Sequence, residues 1–107
     1  MIAQDLFNQI SGYIEEAKKS QNSSALVDQV KGMNLNTTGE VNYMNLNCSY
    51  EAQDGTSIKF SFRSYDPSGP FQHLPDVNKI KLQLLLNGIA VSEVSEEFDD
   101  KSIYGTL

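Results

Sequence analysis

The residue types that most often do chemistry are scarce in this chain. Its 107 residues include one histidine, His73, and one cysteine, Cys48. A cysteine nucleophile needs a base within hydrogen-bond reach, but these two residues lie on different predicted elements. Cys48 also belongs to an alternating apolar run, which predicts a small buried side chain. The pair therefore does not predict a catalytic site.

Carboxylates are more numerous, and five of them lie close together in the sequence: Glu93, Glu96, Glu97, Asp99 and Asp100. A carboxylate pair of the glycosidase type needs an apolar pocket that raises the pKa of one partner, and the surrounding residues predict no such pocket. The sequence contains no phosphate-binding glycine loop, metal-binding helix motif or calcium loop. We therefore predict no enzymatic activity, no cofactor and no metal.

The acidic segment is better suited to binding. Residues 88–107 hold five acids and one base, which gives −4 of the chain's net charge of −6. Charges of this kind speed encounter with a basic partner, and aromatic side chains can hold it afterwards. The predicted partner-binding residues are Glu96, Glu97, Phe98, Asp99, Asp100 and Tyr104. The alternative is that residues 95–107 form a solvated tail that aids solubility.

The element that organises the rest of the chain is a β-hairpin predicted over residues 41–65, in which two alternating runs flank a turn. The apolar residues occupy even positions in both runs: Met44, Leu46, Cys48, Tyr50, Ala52, Ile58, Phe60 and Phe62. A three-residue loop ending at Gly55 brings these sets together, so that Cys48 faces Phe60. Gly55 then takes the left-handed conformation that this loop requires.

The same register predicts the opposite face of that hairpin. Tyr43 should lie opposite Tyr65, and Asn45 opposite Arg63. Protein-binding surfaces are enriched in Tyr and Arg, so Tyr43, Tyr65 and Arg63 form a second candidate patch. The alternative is an ordinary solvated sheet face.

A second hairpin is predicted over residues 79–94, with Asn87 and Gly88 as its two-residue turn. A continuous register would place Leu86 opposite Ile89 and Leu84 opposite Val91 on the apolar face. Leu85 would then lie opposite Ala90 on the other face. A helix over the same residues is the alternative.

The remaining segments are simpler. Apolar residues at three- and four-residue spacing predict an amphipathic helix over residues 2–19, with Gly12 as a site of close packing. We predict a strand over residues 25–33, although one or two helical turns would also fit. Residues 66–76 contain all three prolines and predict a loop, which includes His73.

These elements predict one α+β domain over residues 1–107. Its N-terminal amphipathic helix should pack on a mostly antiparallel sheet of four or five strands built from the two hairpins. No apolar run approaches the ~20 residues that span a bilayer, and the N-terminus does not resemble a signal peptide. Together with the single cysteine, this predicts a cytoplasmic protein that does not bind membranes.

The functional prediction follows from charge and from the lack of catalytic residues. A net charge of −6 disfavours direct binding to nucleic acid. In size and acidity the chain is similar to bacterial toxin-immunity proteins and phage-encoded inhibitors. We therefore predict a non-enzymatic inhibitor, monomeric or weakly dimeric, that neutralises a basic protein such as a bacterial toxin, for example a nuclease. A chaperone or adaptor that binds a client through a sheet edge or helix face is the alternative, and a small hydrolase is the least favoured.

Overall fold

The computed structural model describes residues 3–37, 45–63 and 78–98, which form two helices followed by an antiparallel sheet. The helices are α1 (Ala3–Ser20) and α2 (Ser23–Lys31), and the strands are β1 (Asn36–Thr37), β2 (Asn45–Glu51), β3 (Thr56–Arg63), β4 (Asn78–Leu86) and β5 (Ile89–Phe98). The five strands lie side by side in chain order. The predicted α+β class, with an N-terminal helix packed on an antiparallel sheet, is confirmed.

Helix α1 buries the apolar stripe that its sequence predicts. Leu6, Ile10 and Ile14 are at most 5% exposed, and the helix packs against β3, β4 and β5. Gly12 is not a close-packing site between the described residues, because a Cβ atom placed on it would lie within 4 Å of none of their atoms beyond the adjacent helix backbone. Within the residues that the structure describes, no helix is long and apolar enough to span a membrane.

Residues 23–31 form a helix, so the strand predicted over residues 25–33 is wrong. Leu26, Val27 and Val30 are all buried, and their spacing fits one face of a helix. The side chain of Asn22 caps the helix by accepting a hydrogen bond from the backbone N–H of Ala25 at 3.2 Å. Local capping and helical burial together outweigh the weak alternation that suggested a strand.

The β2–β3 hairpin has the predicted register. Cys48 pairs with Phe60 and Asn45 with Arg63, across a turn in which Gly55 has a φ of 88°. Cys48 is 4% exposed and Phe60 is 1% exposed, so the shared apolar face is buried. Residues 36–37 add the short strand β1, which pairs with β2 on the side opposite β3.

The β4–β5 hairpin departs from its predicted register. Leu85 pairs with Ala90 as expected, but Leu84 pairs with Ser92 rather than with Val91. Val91 is therefore the extra residue of a β-bulge. Strand β5 also continues to Phe98, so residues 95–98 are not part of a tail.

The bulge has a clear packing consequence. In a continuous register Glu93 would lie opposite Leu82, which is fully buried. The bulge instead places Val94 opposite Leu82 and Phe98 opposite Asn78. The register shift therefore turns Val94 and Phe98 towards the helices. It moves Glu93 and Glu97 to the opposite face and brings Glu96 to this one.

The apolar residues at the turn of this hairpin are not in the core. Leu86, Ile89 and Val91 are 45%, 70% and 56% exposed, which contradicts the expectation that they would join the buried face. Leu85 is 6% exposed but lies outside the main core cluster. Tyr43, Tyr65, the proline-containing loop 66–76 and residues 99–107 lie outside the described residues.

Candidate functional site

The acidic residues of the candidate site lie on β5, which forms one edge of the described sheet. Glu93, Glu96 and Glu97 belong to this ten-residue strand. Asp99, Asp100 and Tyr104, which complete the predicted binding segment, lie outside the described residues. The carboxylates are thus held on a regular backbone, and their directions follow from strand geometry.

Phe98 does not provide an exposed aromatic anchor. Its side chain is fully buried in the core beside the helices. The Nζ atom of Lys18 lies 5.3 Å from the centroid of its ring, within cation–π range. Phe98 therefore fixes the end of β5 to α1 rather than presenting its ring on the surface.

The bulge at Val91 determines which way each carboxylate points. Glu93 and Glu97 lie on the sheet face directed away from the helices, which we call the outer face. A carboxylate oxygen of Glu93 is 3.4 Å from Nζ of Lys81, and one of Glu97 is 3.9 Å from Nζ of Lys79. Gln83 also donates a 3.0 Å hydrogen bond to Glu93. These exposed pairs orient the carboxylates but add little stability.

Glu96 points the other way, towards α1. Its carboxylate lies 3.9 Å from Nζ of Lys18, and both side chains are about 40% exposed. Lys18 also donates a hydrogen bond to the backbone carbonyl of Glu97. The lysine therefore covers the C-terminal part of the β5 edge.

A groove lies between α1 and β5, on the side of the sheet that faces the helices. Its volume is about 420 Å³, and it is lined by the apolar side chains of Ile14 and Val94 and by polar ones: Ser11, Glu15, Lys18, Lys19 and Glu96. The Oγ atom of Ser11 is buried and has no hydrogen-bond partner among the described residues. An unpaired buried hydroxyl is unfavourable, so this groove combines an apolar surface with an unsatisfied polar group.

The outer face carries a band of bases that the sequence did not reveal. Four of the chain's eight Lys and Arg residues lie there on β3 and β4: Lys59, Arg63, Lys79 and Lys81. Arg63 and Lys79 are directly opposed. A basic partner would be repelled over β3, where Lys59 and Arg63 lie, so the outer face around Arg63 is a poorer surface for it than the β5 edge, where Glu93 and Glu97 lie.

The described residues offer little for catalysis. Burial raises the pKa of the Cys48 thiol from 9.0 to about 11, so the reactive thiolate is disfavoured at neutral pH. No group of three or more His, Cys, Asp or Glu side chains within residues 3–37, 45–63 and 78–98 is placed to hold a metal ion. His73 lies outside these ranges.

Comparison of the chain with protein-family models, curated proteins and solved structures finds no significant match.

Proposed function

We propose that this protein is a non-enzymatic inhibitor of the immunity type, which binds and neutralises a basic protein partner such as a bacterial toxin. The observation that carries the proposal is the acidic β5 edge: a ten-residue strand at the side of the described sheet, largely exposed up to Glu97, with three carboxylates on it. Their ion pairs with lysines of the same chain hold them in position.

Such an edge suits a basic partner for two reasons. Its carboxylates attract positive charge and so favour encounter, while the backbone groups of an edge strand can make directional hydrogen bonds. The internal lysine pairs are exposed and worth roughly 0–1 kcal/mol each, so a partner's Arg or Lys can replace them at small cost. A nuclease is a suitable target, since its substrate-binding groove is basic.

The alternative is an adaptor or chaperone that binds a client at the same edge. The exposed Leu86, Ile89 and Val91 at the β4–β5 turn favour it, because contiguous exposed apolar side chains are typical of interaction sites. The two proposals predict different partners. The target of an inhibitor is basic and loses its activity when bound, whereas the client of an adaptor or chaperone keeps its activity.

The test uses three forms of the full chain as bait in an extract of the native host. The first is unaltered, and the second carries Glu93→Gln, Glu96→Gln and Glu97→Gln. The third carries Asp5→Asn, Glu16→Gln and Glu51→Gln, which changes net charge equally at exposed sites away from β5.

We expect the first and third forms, and not the second, to retain a basic protein. The activity of that protein, once purified, should fall to zero at one equivalent of the unaltered chain. A retained partner that is acidic, or that keeps its full activity at saturation, would contradict the inhibitor proposal.

A further inference from the structure

We propose that the partner binds by adding an extended strand to β5, with its side chains alternating between basic residues on the outer face and small apolar residues in the groove between α1 and β5. This inference rests on the proposed function and specifies the chemistry of the bound segment. Strand addition to a sheet edge takes affinity from main-chain hydrogen bonds and specificity from pockets for alternate side chains.

Among the residues that the structure describes, the two ends of the β5 edge are protected and its middle is not covered. The bulge at Val91 interrupts the strand near its start, and bulges are a common means of blocking edge pairing. Lys18 covers the carbonyl of Glu97 near the other end. Residues 92–96 remain as a regular stretch of edge, long enough to pair with about five residues of a partner.

The outer face of this open stretch sets the charge of the partner. Glu93 points to the outer face, as does Glu97 just beyond the open stretch, and Ser95 lies between them. A residue added directly opposite would have its Cβ atom about 4.5–5.5 Å away, close enough for opposite charges to stabilise the pair. A partner strand with Lys or Arg at alternate positions, or at two positions four residues apart, would therefore place a base opposite both Glu93 and Glu97.

The inner face sets the size of the alternate side chains. A strand placed beside β5 directs these side chains over Val94 and into the groove of about 420 Å³ that Ser11 and Ile14 help to line. A small branched side chain fits this apolar surface.

A second copy of this chain is a poor occupant. An antiparallel pair of β5 strands centred on Ser95 would place Glu93 of each copy opposite Glu97 of the other. Like charges directly opposed in a sheet are destabilising, so the charge pattern of the edge selects a basic strand over a copy of itself.

The test uses synthetic peptides of about seven residues that alternate Lys and Val, blocked at both ends, with binding to the full chain followed by NMR. The amides of residues 92–96 should shift, and those of β1 at the opposite edge should not. A peptide of the same composition with Lys and Val in separate blocks should bind about tenfold more weakly, since it cannot satisfy both faces at once.

N-methylation separates strand addition from simple charge attraction. In an added strand, the N–H groups that face β5 belong to every second residue. We compare a peptide that is methylated at the backbone nitrogen of every Val with one that is methylated at the backbone nitrogen of every Lys. One of the two should lose binding, because its methyl groups replace the N–H groups that face β5, and the other should still bind. If both peptides bind alike, or neither binds, strand addition is overturned.

The groove is tested with two variants of the helix. Ser11→Leu fills the groove and should weaken peptide binding about tenfold, whereas Asn8→Leu adds the same side chain to an exposed site of α1 and should not. Equal effects of Ser11→Leu and Asn8→Leu would overturn the assignment of the groove. These peptide experiments test how the partner binds. The proposed function is tested separately, by measuring inhibition of the purified partner.

Discussion

Glu97 of β5 lies directly opposite Lys79 of β4, and the carboxylate oxygen of Glu97 is 3.9 Å from the lysine nitrogen. This pair faces outward only because the bulge at Val91 has shifted the strand by one residue. The same shift buries Phe98 at the end of the strand. A single irregularity in β5 thus builds part of the core and displays the acids of the candidate site.

The buried face of the β2–β3 hairpin should dominate its stability. We expect Phe60→Ala to lower the free energy of unfolding by about 3–5 kcal/mol, because it leaves a cavity in a core where Phe60 is 1% exposed. Lys59→Ala, at the adjacent exposed position, should change it by less than about 0.5 kcal/mol. Urea unfolding measures both, and equal losses would show that the two faces are assigned wrongly.

Two glycines should respond to alanine with opposite signs. Gly12 lies in α1, and a Cβ atom added to it would clash with no described residue, so Gly12→Ala should stabilise the protein by about 1 kcal/mol. Gly55 has a φ of 88°, and a Cβ there would lie 2.8 Å from Oδ1 of Asn87. Gly55→Ala should therefore destabilise by about 1–2 kcal/mol. Melting temperatures that move in the same direction would contradict this.

The contact between α2 and β4 contains a buried polar pair. Asn78 Nδ2 donates a 2.9 Å hydrogen bond to Ser23 Oγ, and both residues are at most 1% exposed. Asn78→Ala should cost about 1–3 kcal/mol, because it leaves a buried group without this partner. A double-mutant cycle with Ser23→Ala should give a coupling of about 0.5–1.5 kcal/mol. Additive losses would mean that the bond does not couple the two elements.

We predict that the protein loses stability in alkaline solution because the Cys48 thiol is buried. Its folded-state pKa is about 11 against 9.0 for an exposed thiol, so unfolding releases a proton between these values and stability falls as pH rises through that window. The contribution lost is about 2–3 kcal/mol at most, since each pKa unit is worth about 1.4 kcal/mol. The measurement is the difference in the free energy of unfolding between the unaltered protein and Cys48→Val, followed from pH 8 to 11. An unchanged difference across that range would contradict the burial of the thiol.

Much of the fold could be predicted because apolar residues repeat in phase with a turn. In the β2–β3 hairpin, both strands carry their apolar residues at even positions, and Gly55 supplies the loop conformation, so one register satisfies both requirements. The segment around Val27 was harder, since three apolar residues in five fit either a helical turn or a short strand. Only its cap at Asn22 and its packing resolve the choice.

The candidate site was less predictable, for physical reasons. Ile89 and Val91 lie at odd positions whereas Val94 and Phe98 lie at even ones, and this change of phase was the available sign of a bulge. The basic band could not be predicted from either hairpin alone. It depends on the pairing of β3 with β4, which brings Arg63 and Lys79 together across residues 64–77 of the sequence.

The central claim is that the acidic β5 edge binds a basic protein, and association kinetics with the purified partner test it most directly. The measurement compares the unaltered chain, the variant with Glu93→Gln, Glu96→Gln and Glu97→Gln, and the matched variant with Asp5→Asn, Glu16→Gln and Glu51→Gln, at low and at physiological salt. We predict that the β5 variant associates with the partner several-fold more slowly than the unaltered chain at low salt. At physiological salt this difference in association rate should be smaller, and the matched variant should associate at nearly the rate of the unaltered chain under both conditions. Equal association rates for the β5 variant and the matched variant at low salt would show that net charge alone attracts the partner, and would contradict a binding site at β5.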